Sequence, residues 1–217
     1  MSSGVESLTT IDDLVDLYES AEAEILYDEV VTEREHGEQC AVAARAAGAS
    51  TALIAAALLH DVGHLVLRDN QPLGVELERD HHHDRAGALL LTRWFGPEVT
   101  DPVRLHVVAK RYLCTTEAGY AECLSPSSVR SLDVQGGLMT SAEVDDFESN
   151  PHASSATALR RWDDAGKVDG LVVEPVASYR VLLHALSENP ASQKPASQKP
   201  ASQRPASGRP ESRNRHS

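Results

Sequence analysis

Aromatic residues are scarce in this chain: they make up 4% of its 217 residues, with two Trp and two Phe. Ala, Leu and Val carry most of the 41% hydrophobic content instead, which favours closely packed helices. Cysteine is sparse as well. Cys40, Cys114 and Cys123 form no Cys-x-x-Cys pair and leave an odd thiol, which excludes a disulfide framework and fits a reducing compartment. Positive charge is in deficit, 20 basic against 33 acidic residues, a formal charge of −13. That argues against a general nucleic-acid binder or a protein of anionic membranes. A small anionic substrate stays open, because local cations or metals override the global field. The stretch Met1–Asp16 has no apolar signal-peptide core, and the apolar run 52–59 is too short to span a bilayer. A soluble, cytoplasmic protein with no membrane partner is expected.

The length allows one domain with a substantial core. Residues 189–217 differ from the rest. Pro190-Ala-Ser-Gln-Lys194 recurs as 195–199 and again, with Arg, as 200–204, before the pattern decays. Proline at every fifth position forbids a regular helix, so 189–217 is expected to be a disordered tail following a domain over 1–188. The tail holds six basic residues and one acid, Glu211, against 14 basic and 32 acidic residues before it.

The body reads as one helix after another. Thr10 caps an amphipathic segment with Ile11, Leu14, Val15 and Tyr18, and Thr32-Glu-Arg-Glu35 is a capping box for a helix stopping near Gly48. Ser50 is placed to cap a helix running through His60. Another helix starts at His83 or Asp84 and ends near Gly96-Pro97, and Thr100-Asp-Pro102 opens one that bears His106 and Lys110. Segments 125–134, 141–147, 154–167 and 177–187 complete an all-α expectation, since no alternating β-type run is long enough to trust.

Leu58-Leu59-His60-Asp61-Val62-Gly63-His64 is the most informative stretch. An imidazole beside a carboxylate in an apolar helix is costly to bury unless strong partners surround it, and a metal ion is the usual one. A hydrogen-bonded core pair is the plainer alternative. On one continuous helix His60 and His64 would share a face. His36, His83, His106 and Asp163 lie on other expected helices, and such residues can converge only inside a bundle. Singly, His36 also suits a helix surface, His106 a core position and Asp163 a solvated face.

The order His…His-Asp…His…His…Asp resembles the dinuclear form of the HD-domain superfamily. More of the chain joins in: Tyr27-Asp-Glu29-Val-Val-Thr32-x-x-Glu35-His36-x-x-Gln39, Val103-Arg-Leu-His106-x-x-x-Lys110-Arg-Tyr112, Leu124-Ser-Pro-Ser-Ser-Val-Arg-Ser-Leu132 with Gln135-Gly-Gly, and Arg160-Arg-Trp-Asp163-Asp-Ala-Gly-Lys167. Over residues 10–187 it is similar to the mixed-valent di-iron HD oxygenases of phosphonate catabolism. That resemblance implies a helical bundle around two irons, Fe2+/Fe3+, with O2 as co-substrate. His36, His60, Asp61 and Asp163 would hold one iron, and Asp61, His83 and His106 the other, with Asp61 bridging. His83 is chosen over His81 and His82 because His83-Asp-Arg-Ala-Gly87 matches the family's helix start, although Asp84 replaces its Glu. Asp163 is chosen over Asp164 because Lys167 follows it by four.

Asp61, His64 and Lys110 are the expected catalytic residues, with His64 and Lys110 on the phosphonate. Glu29 would face a substrate ammonium and Tyr27 would help close a lid, although Tyr27 stands one residue nearer to Glu29 than in the family. The implied reaction is C–P cleavage of 2-amino- or 2-trimethylammonio-1-hydroxyethylphosphonate to phosphate and glycine or glycine betaine. A 2-oxoglutarate-dependent hydroxylase would supply the hydroxyphosphonate. The rival is a metal-dependent HD phosphohydrolase acting on a nucleotide or phosphomonoester.

Overall fold

The structure is a computed structural model that describes residues 8–24, 26, 30–68 and 82–188. These residues form helices α1 (Ile11–Tyr18), α2 (Glu33–Ala46), α3 (Thr51–Leu59), α4 (Val62–Arg68), α5 (His83–Leu91), α6 (Pro97–Thr116), α7 (Pro126–Val134), α8 (Ser141–Glu148), α9 (Ala153–Ala165) and α10 (Arg180–Ser187). No strand occurs among the described residues; one isolated bridge joins Leu26 and Thr32. The all-α expectation holds. No described helix is long and apolar enough to cross a membrane. Tyr27, Glu29, His81 and the 189–217 tail lie outside the described residues.

Helix starts follow the chemistry of the N-cap. Thr10, Thr32 and Thr140 each accept from the third helical N–H, while Asp13, Glu35 and Glu143 reach back to the cap. Ser50 and Ser125 cap α3 and α7 in the same way. Two boundaries differ from expectation. Helix α5 ends at Leu91 rather than near Gly96, and α6 begins at Pro97, not at Thr100-Asp-Pro102. Pro97 occupies the first turn, where no N–H is needed, and Pro102 sits inside the helix one turn later. The 177–187 segment also divides, into a short 3-10 turn over Val176–Tyr179 followed by α10.

Helices α2, α3, α6 and α9 close a ring, each packing on the next, with α3 also touching α9. The pair α4–α5 packs on the α6 side, and α10 packs on α3 with α1 against it. Helix α3 is surrounded, and this explains its composition: Ala55, Ala56, Ala57 and Leu58 are all fully buried. An amphipathic helix would bury polar groups there, and larger residues would push the neighbours apart. Truncating Leu58 to Ala should leave a cavity that this ring cannot collapse around. A loss of about 2–5 kcal/mol is expected, measurable by urea denaturation of the full chain.

Candidate metal centre

The helices of the ring deliver polar groups to its axis. His36 comes from the first turn of α2, His60 and Asp61 from the end of α3, His106 from α6 and Asp163 from α9. His83 arrives from the start of α5. All six are buried, none more than 8% exposed. Here the local structure departs from expectation. His60 and Asp61 are not in mid-helix, because α3 ends at Leu59 and α4 begins at Val62. His60 is the C-cap of α3, and its Nδ1 donates to the Ala57 carbonyl (2.9 Å), one of the orphan acceptors at a helix end. His60 and His64 therefore do not share one helical face. His64 instead stacks on the His83 ring, with centroids 4.0 Å apart and planes at 19°.

Backbone carbonyls set the tautomers. His36 Nδ1 pairs with Gly166 O at 2.8 Å, and His106 Nδ1 with Val103 O at 2.6 Å. With His60 this makes three imidazoles whose Nδ1 hydrogens are committed, so their Nε2 lone pairs point inward. The Nε2 atoms meet in pairs: His36 with His60 at 3.2 Å, and His83 with His106 at 3.1 Å. The Asp61 carboxylate lies between the pairs. Its Oδ2 is 3.6 Å from His36 and 3.3 Å from His60, and its Oδ1 is 3.4 Å from His83 and 3.5 Å from His106. Asp163 Oδ1 joins the first pair, 3.4 Å from His36 Nε2.

Both Asp61 oxygens and Asp163 Oδ1 are buried with no hydrogen-bond partner. A buried carboxylate in that state is costly, and a cation in each pocket removes the cost. Nitrogen and hard oxygen donors of this kind suit first-row metal ions, and the Asp61 carboxylate has one oxygen toward each imidazole pair. The protonation states agree. Burial pushes His83 well below its ordinary value, with His64 adding to this, and it pushes His106 down to about 4, which leaves both rings neutral, the form in which an imidazole binds a metal. Burial also opposes charge on His60, but the Asp61 carboxylate outweighs it and raises His60 to about 9. The space between these two groups thus calls for positive charge.

Two further donors stand close. Cys40 Sγ is 3.9 Å from both His36 nitrogens, so it lies on the lone-pair axis of neither. Its thiol donates to Trp162 O, and burial, then Asp163, holds it well above the usual thiol range. His64 has a nitrogen within 4.8 Å of ligand atoms on Asp61 and His83. Of the three adjacent histidines, His83 is in the cluster, His82 is exposed, and His81 lies outside the described residues.

Lys110 is 2% exposed and extends from α6 to α7, where its ammonium donates to Ser131 Oγ at 2.6 Å. It is not alone. Arg160 Nη2 and Lys167 Nζ both reach Ser128 Oγ, at 3.3 and 3.4 Å. Arg160 Nη1 also donates to Asp163 Oδ2 at 2.7 Å, and the rest of its guanidinium is held by Asp164, which in turn accepts from Tyr120. Arg160, Ser128 and Ser131 lie in motifs that carried the resemblance, but the sequence assigned them no role in the site. Arg160 lies three residues before Asp163 on the same helix, and that i,i+3 pairing of opposite charges was the available signal.

Residues 34–127 match the HD domain, which covers five of the six central residues and leaves Asp163 beyond it. The bundle and its His-Asp cluster thus define an HD-domain protein. The chain is 45% identical over 163 residues to hydroxymethylphosphonate dioxygenase of Gimesia maris, spanning 75% of this chain and 81% of that one. It is 42% identical over 139 residues to [1-hydroxy-2-(trimethylamino)ethyl]phosphonate dioxygenase (glycine-betaine-forming) of Leisingera caerulea, spanning 64% and 70%. An uncharacterized protein of Acanthamoeba polyphaga mimivirus is 30% identical over 184 residues, 84% of each chain. The chain belongs to the HD phosphonate dioxygenases and is an enzyme of that type.

Asp61→Ala removes the one group common to both pockets. Metal analysis of the purified variant should show both ions lost together, and loss of a single ion would disprove the bridge.

Proposed function

We propose that this enzyme uses two iron ions and O2 to cleave the C–P bond of a small 1-hydroxyphosphonate, giving inorganic phosphate and a carboxylic acid. The observation that carries the proposal is the Asp61 carboxylate set between two imidazole pairs, with buried cations of α6 and α9 gathered on two serines of α7. His36, His60, Asp61 and Asp163 would hold one ion, and Asp61, His83 and His106 the other. When bound, the irons supply the electrons and Lewis acidity that O2 activation requires.

The chain's own residues bind and orient. Ser128 Oγ accepts from two cations, which occupies its lone pairs and leaves its hydrogen to donate to a phosphonate oxygen. Lys110 and Arg160 supply positive charge in the same water-poor place, where charge-assisted hydrogen bonds are strongest. His64, stacked on His83, would be a further donor to the phosphonate. The overall reaction balances without another oxidant: hydroxymethylphosphonic acid plus O2 has the atoms of formic acid plus phosphoric acid.

The two characterised relatives divide over the substrate's far end. An ammonium-bearing substrate, 2-amino- or 2-trimethylammonio-1-hydroxyethylphosphonate, is supported by the acid Glu29 two residues after Tyr27 in the sequence, and the products would be glycine or glycine betaine. Hydroxymethylphosphonate is supported by the 45%-identical relative, named for that substrate. Assaying the three compounds under air should give phosphate and the matching carboxylate in equal amounts, one per O2 consumed. Glu29→Gln should damage turnover of the ammonium substrates far more than that of hydroxymethylphosphonate. Equal phosphate release under argon, or from nucleotides, would establish a phosphohydrolase instead. Formation of the 1-hydroxyphosphonate by a separate hydroxylase belongs to the same proposal.

Burial, reinforced by Arg160, lowers Lys110 to about 8. The ammonium is intact below that pH and is lost above it. kcat/KM for the phosphonate should therefore fall as pH rises through about 8, and Lys110→Arg should abolish that limb while retaining metal. A limb unchanged in Lys110→Arg assigns it to another group.

A further inference from the structure

We infer that each metal pocket is set by its own glycine-mediated backbone contact, Gly37 on Leu58 for the His36–His60 pair and Gly63–Gly87 for the His83–His106 pair, so that either ion can be lost without the other. The inference rests on two ions being held as proposed above.

Gly37 follows His36 on α2. A Cβ there would lie 2.5 Å from the Leu58 carbonyl oxygen, two residues before His60 on α3. Real Cβ atoms do not approach backbone that closely, so α2 and α3 meet at this point only because position 37 has no side chain. The spacing between the helices fixes the 3.2 Å separation of the His36 and His60 Nε2 atoms.

The second pocket has a separate device. Gly63, two residues past Asp61, lies against the backbone of His83, and a Cβ there would overlap the His83 carbonyl oxygen. On the facing helix, a Cβ at Gly87 would stand 3.0 Å from Gly63 N, 3.2 Å from Val62 Cγ1 and 3.4 Å from Gly63 Cα. Helices α4 and α5 therefore cross with backbone against backbone, one turn from His83. The chain enters α5 through His82 at φ +52°, a left-handed conformation that a non-glycine residue adopts only where packing imposes it. His64 then closes over the His83 ring. None of these contacts involves α2, and the Gly37 contact involves neither α4 nor α5.

Gly37, Gly63 and Gly87 are accordingly positioning residues, each acting through the imidazoles beside it. The test uses the full chain, stripped with a chelator and titrated with Mn(II) alone, read by electron paramagnetic resonance and by metal analysis. The wild-type chain should bind two ions with a spin-coupled signal. Gly87→Ala should bind one ion with near-wild-type affinity and show an uncoupled signal, its second affinity weakened about tenfold or more, as for other supports of metal ligands. Gly37→Ala should do the same through the other pocket. At Mn(II) concentrations that fill only one pocket of Gly87→Ala, adding His83→Ala should change nothing more, whereas adding His36→Ala should remove the remaining ion. High Mn(II) should restore the coupled signal in Gly87→Ala.

Two ions bound by Gly87→Ala with wild-type affinity overturn the inference, as does loss of both ions from a chain still folded by circular dichroism. Unfolding of both glycine variants at saturating Mn(II) overturns it too, because the contacts would then support the fold rather than one pocket. A wild-type chain that binds only one ion refutes the two-ion proposal itself, a result distinct from any of these.

Discussion

A carboxylate at the centre of a helical ring needs compensation from every side, and the Asp61 site is organised by that need. Removing such a group from water costs several kcal/mol, which only close positive charge and well-placed donors repay. The imidazoles around it cannot all supply protons, because three of them have given their Nδ1 hydrogens to backbone carbonyls. What remains is a set of inward lone pairs and unpartnered carboxylate oxygens, a poor core but a good cage for cations. The apolar helices, the caps and the close crossings all hold that cage against its own repulsion.

The outer charges follow from the same constraint. Arg160 lies between Asp163 and Asp164 and neutralises part of the acid that the cluster gathers. Its remaining N–H, with Lys110 and Lys167, turns the neighbouring space on α7 positive. A chain of net charge −13 can in this way present a strongly cationic interior to a small anion. The global charge and the local charge answer different questions, and only the local one bears on the substrate.

Much of this was legible in the residues. The run of Ala and Leu before His60-Asp61 identified a buried pair, and the N-cap at Thr10 and the capping box at Thr32 located helix starts because their chemistry is local. The start of α6 was less clear because Gly96-Pro97 and Thr100-Asp-Pro102 are both valid N-terminal signals, and nothing local ranks them. The break at His60-Asp61 was invisible because an uninterrupted apolar pattern continues through Val62 and Leu65 while the backbone turns. Arg160 was missed for a different reason. Next to Arg161 and two acids it reads as a solvated face, yet it is buried and one of its N–H groups meets Ser128 of α7.

The bond from His36 to the Gly166 carbonyl spans 130 residues. A chain emerging from the ribosome has therefore made four of its imidazoles long before α9 exists to orient the first of them or to contribute Asp163. Contacts of such high sequence separation form late, after most of the loop-closure entropy has been spent. An unfinished chain lacks both Asp163 and the Gly166 carbonyl, so the group of His36, His60 and Asp163 comes into being only once α9 has been made.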